Sequence, residues 1–127
     1  MRALLDTHVF LWAIGEPEKL SKRAARVIED ETNELLLSAA SLWEIALKTQ
    51  AGKLQVPQGR GFLAEHMARL GVESLPVEAG HVLALLSLPP HHRDPFGRLL
   101  VAQCQVENLT ILTADAAIRR YAVQAIW

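Results

Sequence analysis

The sequence is poor in cysteine and contains no long apolar segment. Cys104 is the only cysteine among 127 residues, so no intramolecular disulfide can form, as is usual in a reducing compartment. Its apolar neighbours indicate a small buried hydrophobic residue rather than a catalytic thiol. No apolar run approaches the ~20 residues of a membrane span, and Asp6 comes too early for the apolar stretch of a signal peptide. We therefore expect a cytoplasmic protein with no membrane association.

An excess of charge of either sign is also missing. The chain has 13 basic and 14 acidic residues, for a net charge of −1. It therefore lacks the basic excess that is typical of nucleic-acid binders. This does not exclude nucleic acid, because the carboxylates of a metal site cancel nearby basic side chains in the sum. Since 50% of the residues are hydrophobic and 21% charged, the chain can bury a core, and we expect one domain over residues 1–127.

Short apolar runs alternate with segments of helical period. The predicted strands cover residues 3–5, 34–37, 72–75, 110–112 and 123–126. The predicted helices cover about 9–14, 22–29, 60–70, 77–88, 95–107 and 115–121, with one more from Ser41 to about 51. Ser21 and Asp94 are predicted N-caps, and Glu44 follows Ser41 at the spacing of a capping box. The alternation predicts an α/β fold, a mostly parallel sheet with helices on both faces.

Three acids stand directly after predicted strands or early in the helices that follow: Asp6, Glu44 and Asp115. Ligands bind outside the carboxyl ends of the strands in such sheets, so the three carboxylates are predicted to share one edge. Because like charges repel, the cluster needs a cation, and Mg²⁺ or Mn²⁺ prefers hard oxygen ligands.

Each acid also has a simpler interpretation, which the sequence leaves open. Asp6 and Asp115 could serve only as helix caps. Glu44 could form an ordinary i, i+4 ion pair with Lys48. The hypothesis of a metal site depends on the shared topological position of all three, not on any one of them.

Four segments, in order and at matching separations, resemble the PIN domain and, more narrowly, VapC-type toxins. The segments are Leu4-Leu5-Asp6-Thr7-His8, Ser41-Leu42-Trp43-Glu44-Ile45, Arg93-Asp94-Pro95-Phe96 with Leu99-Leu100-Val101-Ala102-Gln103, and Leu112-Thr113-Ala114-Asp115. Each motif alone is weak, but together they span nearly the whole chain. The resemblance implies a PIN-like three-layer α/β/α sandwich.

The resemblance also implies a function. VapC-type toxins are Mg²⁺-dependent endoribonucleases, usually homodimeric and neutralised by a cognate antitoxin encoded beside them. Asp6, Glu44 and Asp115 would be the metal-site carboxylates, with Mn²⁺ as the other suitable ion. Thr7 and Thr113 would support them from behind.

The sequence departs from the family pattern at Gly97, where an aspartate usually stands. Glycine offers no ligand and weakens a helix by roughly 0.5–1 kcal/mol relative to alanine. Three explanations remain open: a change that silences a toxic enzyme, a naturally degenerate member, or replacement of the missing oxygen by Asp94, one helical turn earlier. Asp94 is therefore a further catalytic candidate.

RNA phosphates would be contacted by basic residues close to the expected site, and the best candidates are Arg98, Arg119 and Arg93. The apolar helices near residues 9–14 and 42–47 are candidates for an antitoxin groove or a dimer seam. The histidines lack the spacing of a zinc site, and His8 stands where aspartyl phosphatases commonly carry a second aspartate. The main alternative is a non-catalytic PIN-like module that binds RNA or an antitoxin.

Overall fold

Five short apolar segments form one parallel sheet. The computed structural model describes residues 1–57 and 60–127. The strands are β1 (Arg2–Leu5), β2 (Glu34–Ser38), β3 (Val72–Leu75), β4 (Thr110–Leu112) and β5 (Gln124–Ile126). Their order across the sheet is β3-β2-β1-β4-β5, and every neighbouring pair is parallel. In the central register, Leu4 of β1 lies opposite Leu36 of β2 and Ile111 of β4.

Helices connect these strands. They are α1 (Thr7–Gly15), α2 (Lys22–Glu29), α3 (Ala39–Gln50), α4 (Arg60–Leu70), α5 (Ala79–Ala84) and α6 (Pro95–Glu107), and single 3₁₀ turns cover Pro17–Lys19, Leu85–Ser87 and Ile118–Arg120. Among the described residues, no helix is both long enough and apolar enough to cross a membrane.

The core has two halves because successive strand residues point to opposite faces of the sheet. On one face, Leu4 and Ile111 pack with Leu100 of α6. On the other face, Leu5 packs with Phe10 of α1 and Ile45 of α3. Both faces are therefore covered by helices, which confirms the predicted three-layer α/β/α arrangement.

Two predicted helix caps are confirmed. Ser21 Oγ accepts a hydrogen bond from the Ala24 amide at 3.0 Å, at the start of α2. Asp94 Oδ1 accepts from the Phe96 amide at 3.1 Å, with Pro95 as the first residue of α6. Proline suits this position because the first helical amides have no partner within the helix.

The predicted capping box at Ser41 is wrong. The cap of α3 is Ser38, whose Oγ accepts from the Ala40 amide at 3.0 Å. Helix α3 therefore begins earlier than predicted, and Ser41 is a fully buried residue of its first turn. The Ser41 hydroxyl bonds to Thr7 instead of to the backbone of its own helix.

Two predicted helices are shorter than expected. After β4, Asp115 Oδ1 accepts from the Ala117 amide at 2.8 Å, and such local bonds compete with helix formation. Only the 3₁₀ turn Ile118–Arg120 remains of the predicted helix 115–121. The predicted helix 77–88 reduces to α5 and the 3₁₀ turn Leu85–Ser87. The chain becomes extended at Leu88 (ψ 133°), directly before Pro89, as is usual for a residue that precedes proline.

Candidate active site

The site lies where the chain reverses its direction across the sheet. From β1 the chain continues to β2 and β3 on one side, and it later returns to β4 and β5 on the other. Such a switch point opens a crevice outside the carboxyl ends of the strands. Asp6 follows β1 directly, and its amide donates to the Leu112 carbonyl at the end of β4 at 3.0 Å.

A cleft of about 380 Å³ occupies this crevice. The four acids proposed from the sequence all line it: Asp6, Glu44, Asp94 and Asp115. Gly97 lies in the same wall, together with His8, Lys48 and Lys53. The structure thus brings the predicted carboxylates to one place, with the altered position among them.

Asp6 is the most enclosed of the four acids, at 6% exposure. Its Oδ2 accepts a hydrogen bond from Thr113 Oγ1 at 2.6 Å, and its Oδ1 accepts from the Thr7 amide at 2.8 Å. Burial raises the pKa of Asp6, although His8 and the two hydrogen bonds oppose this effect. The Asp115 charge adds to the rise, so the ionised Asp6 carboxylate calls for a compensating positive charge.

Glu44 faces the cleft from α3 and is 7% exposed. Its Oε2 lies 2.6 Å from the Nζ of Lys48, one helical turn later. Glu44 therefore forms the ordinary i, i+4 ion pair with Lys48 and also lines the cleft. The sequence had left these two interpretations open as alternatives. Lys48 is half exposed, so its ammonium neutralises Glu44 from the solvent side.

Asp115 is held by two hydrogen bonds after β4. Its Oδ2 lies 2.7 Å from His92 Nε2, and its Oδ1 accepts from the Ala117 amide. Partial burial raises the pKa of Asp115, but the hydrogen bonds from His92 and Ala117 outweigh it, and the pKa of this carboxyl falls below its ordinary value. Asp115 is therefore ionised in the metal-free protein at neutral pH.

The space beside Gly97 is bordered by two side chains. A Cβ atom at this position would lie 3.4 Å from the His92 ring and 3.6 Å from Asp94 Oδ2. Since Asp94 Oδ1 caps α6, Oδ2 is the oxygen that faces this space. Asp94 thus places an oxygen beside the point from which a side chain at position 97 would begin.

The two predicted supporting threonines differ in their contacts. Thr113 touches Asp6 through its hydroxyl, whereas Thr7 touches Asp6 only through its amide. The Thr7 hydroxyl donates to Ser41 Oγ at 2.9 Å. Thr7 therefore also ties the start of α1 to α3, which carries Glu44.

None of the three arginines predicted to contact RNA lines the cleft among the described residues. The Arg98 guanidinium donates to the Pro89 carbonyl at 3.0 Å and to the Tyr121 hydroxyl at 3.2 Å, so it fastens the loop before α6. Arg93 and Arg119 are exposed outside the cleft.

Sequence reasoning missed Lys53, His8 and the carboxylate contact of His92. The sequence contains a clue to the two histidines, because each stands two residues from a candidate acid: His8 follows Asp6, and His92 precedes Asp94. Lys53 carries no such signal, since it reaches the cleft from the turn that follows α3.

The side chains of the cleft fit a hard divalent cation, which prefers oxygen ligands. Its described lining residues include four carboxylates and two ammonium groups. In the conformation described, each of three carboxylates lies beside a basic side chain: His8, Lys48 or His92. Within residues 1–57 and 60–127, no three acidic, histidine or cysteine side chains converge closely enough to hold a metal ion. The chemistry of the donors therefore fits the ion, and in the conformation described three of the four carboxylates are paired with side chains of the chain itself.

Comparison with known proteins gives both a family and close relatives. Residues 3–124 match the family model described as PIN domain. Ribonuclease VapC22 of Mycobacterium tuberculosis is 33% identical over 122 residues, which cover 93% of this chain and 90% of that protein. Ribonuclease VapC16 of the same organism is 39% identical over 56 residues, or 43% of this chain and 40% of that protein.

Solved structures share the fold. A chain in the crystal structure of VapBC2 from Rickettsia felis, bound to a DNA fragment from their promoter, superposes with a TM-score of 0.76 at 17% identity, covering 99% of this chain and 98% of that one. A chain of FitAcB from Neisseria gonorrhoeae gives a TM-score of 0.62 at 18% identity, covering 98% and 96%. At these identities the likeness concerns the fold alone.

Proposed function

This chain belongs to the PIN domain family, and on that premise we propose that it is a VapC-type, divalent-metal-dependent endoribonuclease that cleaves RNA phosphodiester bonds. The observation that carries the proposal is the gathering of Asp6, Glu44, Asp94 and Asp115 around one cleft at the switch point of the sheet. The similarity to Ribonuclease VapC22 over 93% of the chain supports it.

Asp6, Glu44 and Asp115 would hold Mg²⁺ or Mn²⁺ in this cleft. The ion would supply an activated water and would neutralise a phosphodiester oxygen during in-line attack. Thr113 and the Thr7 amide hold Asp6 in place from behind. In the absence of the metal ion, Lys48 neutralises the charge of Glu44.

In this proposal, the Asp94 carboxylate takes the place of the aspartate that is missing at position 97. Its Oδ2 lies 3.6 Å from the place where a Cβ at Gly97 would stand, so it can offer an oxygen on the side of the missing aspartate. Of the three explanations for Gly97, the geometry therefore favours replacement by Asp94. The same carboxylate also caps α6, which limits its movement, so we expect slower turnover than with an aspartate at position 97.

RNA would approach over the basic side chains around the cleft. Lys48 and Lys53 line it directly, and the exposed Arg93 and Arg119 lie outside it. Ammonium and guanidinium groups bind phosphates without regard to base sequence. We propose that these four residues position the RNA backbone, while Arg98 supports the loop instead.

A partner protein would use the apolar groove between α3 and α4. This groove of about 500 Å³ is lined mainly by apolar side chains, among them Leu42, Ile45, Val56, Leu63 and Met67. Such a surface suits the apolar face of an amphipathic helix, and we propose that a cognate antitoxin supplies it.

The proposed homodimer would use a different surface. Val82 and Leu83 of α5 are well exposed, and Leu86 in the following turn is 86% exposed. Exposed apolar patches of this kind mark interaction sites. Light scattering of the purified protein gives its mass and decides whether it forms a dimer; a dimer that persists in Leu86→Glu would place the interface elsewhere.

A non-catalytic module that binds RNA or an antitoxin is the second candidate function. Gly97 favours it, because the cleft lacks one carboxylate of the family pattern. The pairing of Glu44 with Lys48 also favours it, because a paired carboxylate is less available to a metal ion.

An RNA cleavage assay separates the two functions. The unchanged chain and Gly97→Asp are incubated with structured RNA in Mg²⁺, in Mn²⁺ and in EDTA. Asp6→Asn in each background serves as the control for contaminating nuclease. We expect metal-dependent cleavage by the unchanged chain, faster cleavage by Gly97→Asp, and none by the Asp6→Asn forms. Cleavage by Gly97→Asp alone would identify a silenced enzyme. If neither chain cleaves RNA, the non-catalytic binding module is the function that remains.

A further inference from the structure

We propose that His92 is a positioning residue of this site, which bridges Asp94 and Asp115 and holds the Asp115 carboxylate in the cleft. The inference rests on the proposed function, since it assigns His92 a task in that same site. It starts from the two ring nitrogens, both of which have partners. His92 Nδ1 lies 3.0 Å from the Asp94 amide nitrogen, and Nε2 lies 2.7 Å from Asp115 Oδ2.

These partners fix which nitrogen carries the proton. A backbone amide can only donate, so Nδ1 must accept the hydrogen bond from Asp94. A neutral imidazole has one acceptor and one donor nitrogen, and Nε2–H therefore donates to Asp115. In this tautomer the ring satisfies an amide and a carboxylate at once.

The backbone that carries the ring is also held in place. The His92 amide donates to the Tyr121 hydroxyl at 3.0 Å, and Arg98 donates to the same hydroxyl at 3.2 Å. The His92 side chain is only 17% exposed. The position of the ring is therefore set by the surrounding structure, and the hydrogen bond to Asp115 does not depend on a mobile surface group.

Gly97 lies directly beside the ring. A Cβ at position 97 would lie 3.4 Å from both Cδ2 and Nε2 of His92. That distance is at the edge of ordinary contact, so the backbone of α6 runs close beside the ring. The nitrogen that holds Asp115 thus lies next to the altered position of the motif.

The bond to His92 matters because Asp115 is the less enclosed partner. Its side chain is 31% exposed, and without the ring the hydrogen bonds that hold it among the described residues would come from backbone amides, those of Ala117 and Ile118. Hydrogen-bond partners behind metal-binding side chains typically contribute roughly 10- to 100-fold to metal affinity or activity. We expect an effect of this size from losing the Nε2 donor.

Two substitutions test the two hydrogen bonds of the ring separately. His92→Gln places an amide donor near the position of Nε2 and so keeps the bond to Asp115. His92→Asn places an acceptor near Nδ1 and so keeps only the bond from the Asp94 amide. His91→Ala is the matched control, because among the described residues neither nitrogen of this neighbouring ring bonds to a carboxylate; the ring packs against Tyr121 with centroids 4.9 Å apart.

The measurements are Mn²⁺ affinity by calorimetry on metal-free protein, kcat and KM for RNA with Mn²⁺, and thermal melting in EDTA. We expect His92→Asn to lower Mn²⁺ affinity and kcat roughly 10- to 100-fold, with KM for RNA unchanged. His92→Gln should stay close to the unchanged chain, as should His91→Ala. This pattern separates positioning from a general loss of folding, which would affect melting and KM as well.

Equal Mn²⁺ affinity in His92→Asn and the unchanged chain would overturn the inference, and so would equal losses in His92→Asn and His92→Gln. If His92→Asn does not fold, His92→Gln decides alone: retained affinity supports the bond to Asp115, and a tenfold loss refutes it. Normal Mn²⁺ binding and cleavage with no effect of either substitution would overturn only the role of His92. A chain that binds no Mn²⁺ would overturn the proposed metal site together with it.

Discussion

The Thr113 hydroxyl donates a 2.6 Å hydrogen bond to Asp6 Oδ2 across a sequence separation of 107 residues. The contact forms because β1 and β4 are neighbours in the sheet, so that the residues following them meet at the same edge. Both side chains are almost fully enclosed. The buried Asp6 carboxylate thus accepts a hydrogen bond from the residue that follows the neighbouring strand.

Replacing Thr113 with valine should destabilise the protein. Thr113→Val keeps the shape of the side chain but removes both the hydroxyl donor of Asp6 Oδ2 and the acceptor of the Asp115 amide. An unsatisfied buried acceptor costs about 1–3 kcal/mol, so the free energy of unfolding should fall by about that amount. Urea unfolding at pH 7 in EDTA measures it. Thr110→Val is the control, because the Thr110 hydroxyl makes an exposed 3.3 Å contact with Gln124, and a loss equal to that control would contradict the prediction.

The pKa of Asp6 predicts a pH dependence of stability. Because burial raises this pKa in the folded state, the contribution of Asp6 to stability is fully present below its unfolded pKa of ~3.9 and is lost as the pH rises through its folded pKa. The stability of the unchanged chain relative to Asp6→Asn should therefore decrease in EDTA as the pH rises above ~4. Denaturant unfolding at several pH values gives this difference, and any constant effect of the amide cancels in the slope.

Asp30 provides a control of opposite sign. Hydrogen bonds from the Thr32 hydroxyl and amide lower the pKa of Asp30. Its contribution is therefore present above the unfolded pKa and lost as the pH falls through the folded one. Relative to Asp30→Asn, the unchanged chain should gain stability as the pH rises. Parallel slopes for the two variants would refute the assignment for Asp6.

The fold was predictable because its signals are local. Alternating apolar runs and helical periods identified every strand, and Ser21 and Asp94 marked two helix starts correctly. Two errors, the start of α3 and the helix expected after β4, lie where a side chain bonds to the backbone beside it. Asp115 and Thr113 bend the chain after β4 in this way, and sequence spacing does not distinguish such a turn from a helix cap.

The candidate site was predictable only for its acids. The rule for the carboxyl ends of parallel strands placed Asp6, Glu44 and Asp115 correctly in one cleft. The partners of these acids depend on side-chain directions, which the sequence does not contain. Arg98 lies one residue after Gly97 but points to the loop before α6, whereas Lys53 reaches the cleft from a turn distant from every motif.

Cys104 should be chemically inert in the folded protein. Burial raises the pKa of its thiol to about 12, so roughly 10⁻⁴ of it is ionised at pH 8, against about a quarter for an exposed cysteine. Titration with a chromogenic disulfide reagent should give no fast reaction in buffer and one equivalent in urea. Val106→Cys on the same helix adds an exposed thiol and should react at once with one equivalent. Fast reaction of the unchanged chain would contradict the buried position of Cys104.

Lys48 should weaken metal binding by competing for Glu44. Its ammonium lies 2.6 Å from Glu44 Oε2, and its charge also repels a cation in the cleft. Since the Lys48 ammonium is half exposed and solvent screening limits the strength of such a pair to about 1 kcal/mol, Lys48→Gln should raise Mn²⁺ affinity by roughly two- to fivefold. Calorimetry on metal-free protein measures the change. Lys53→Gln removes the same charge from the cleft wall and controls for repulsion alone, so the gain with Lys48→Gln should be the larger. A loss of affinity in Lys48→Gln would show that Lys48 holds Glu44 in place for the metal rather than competing with it.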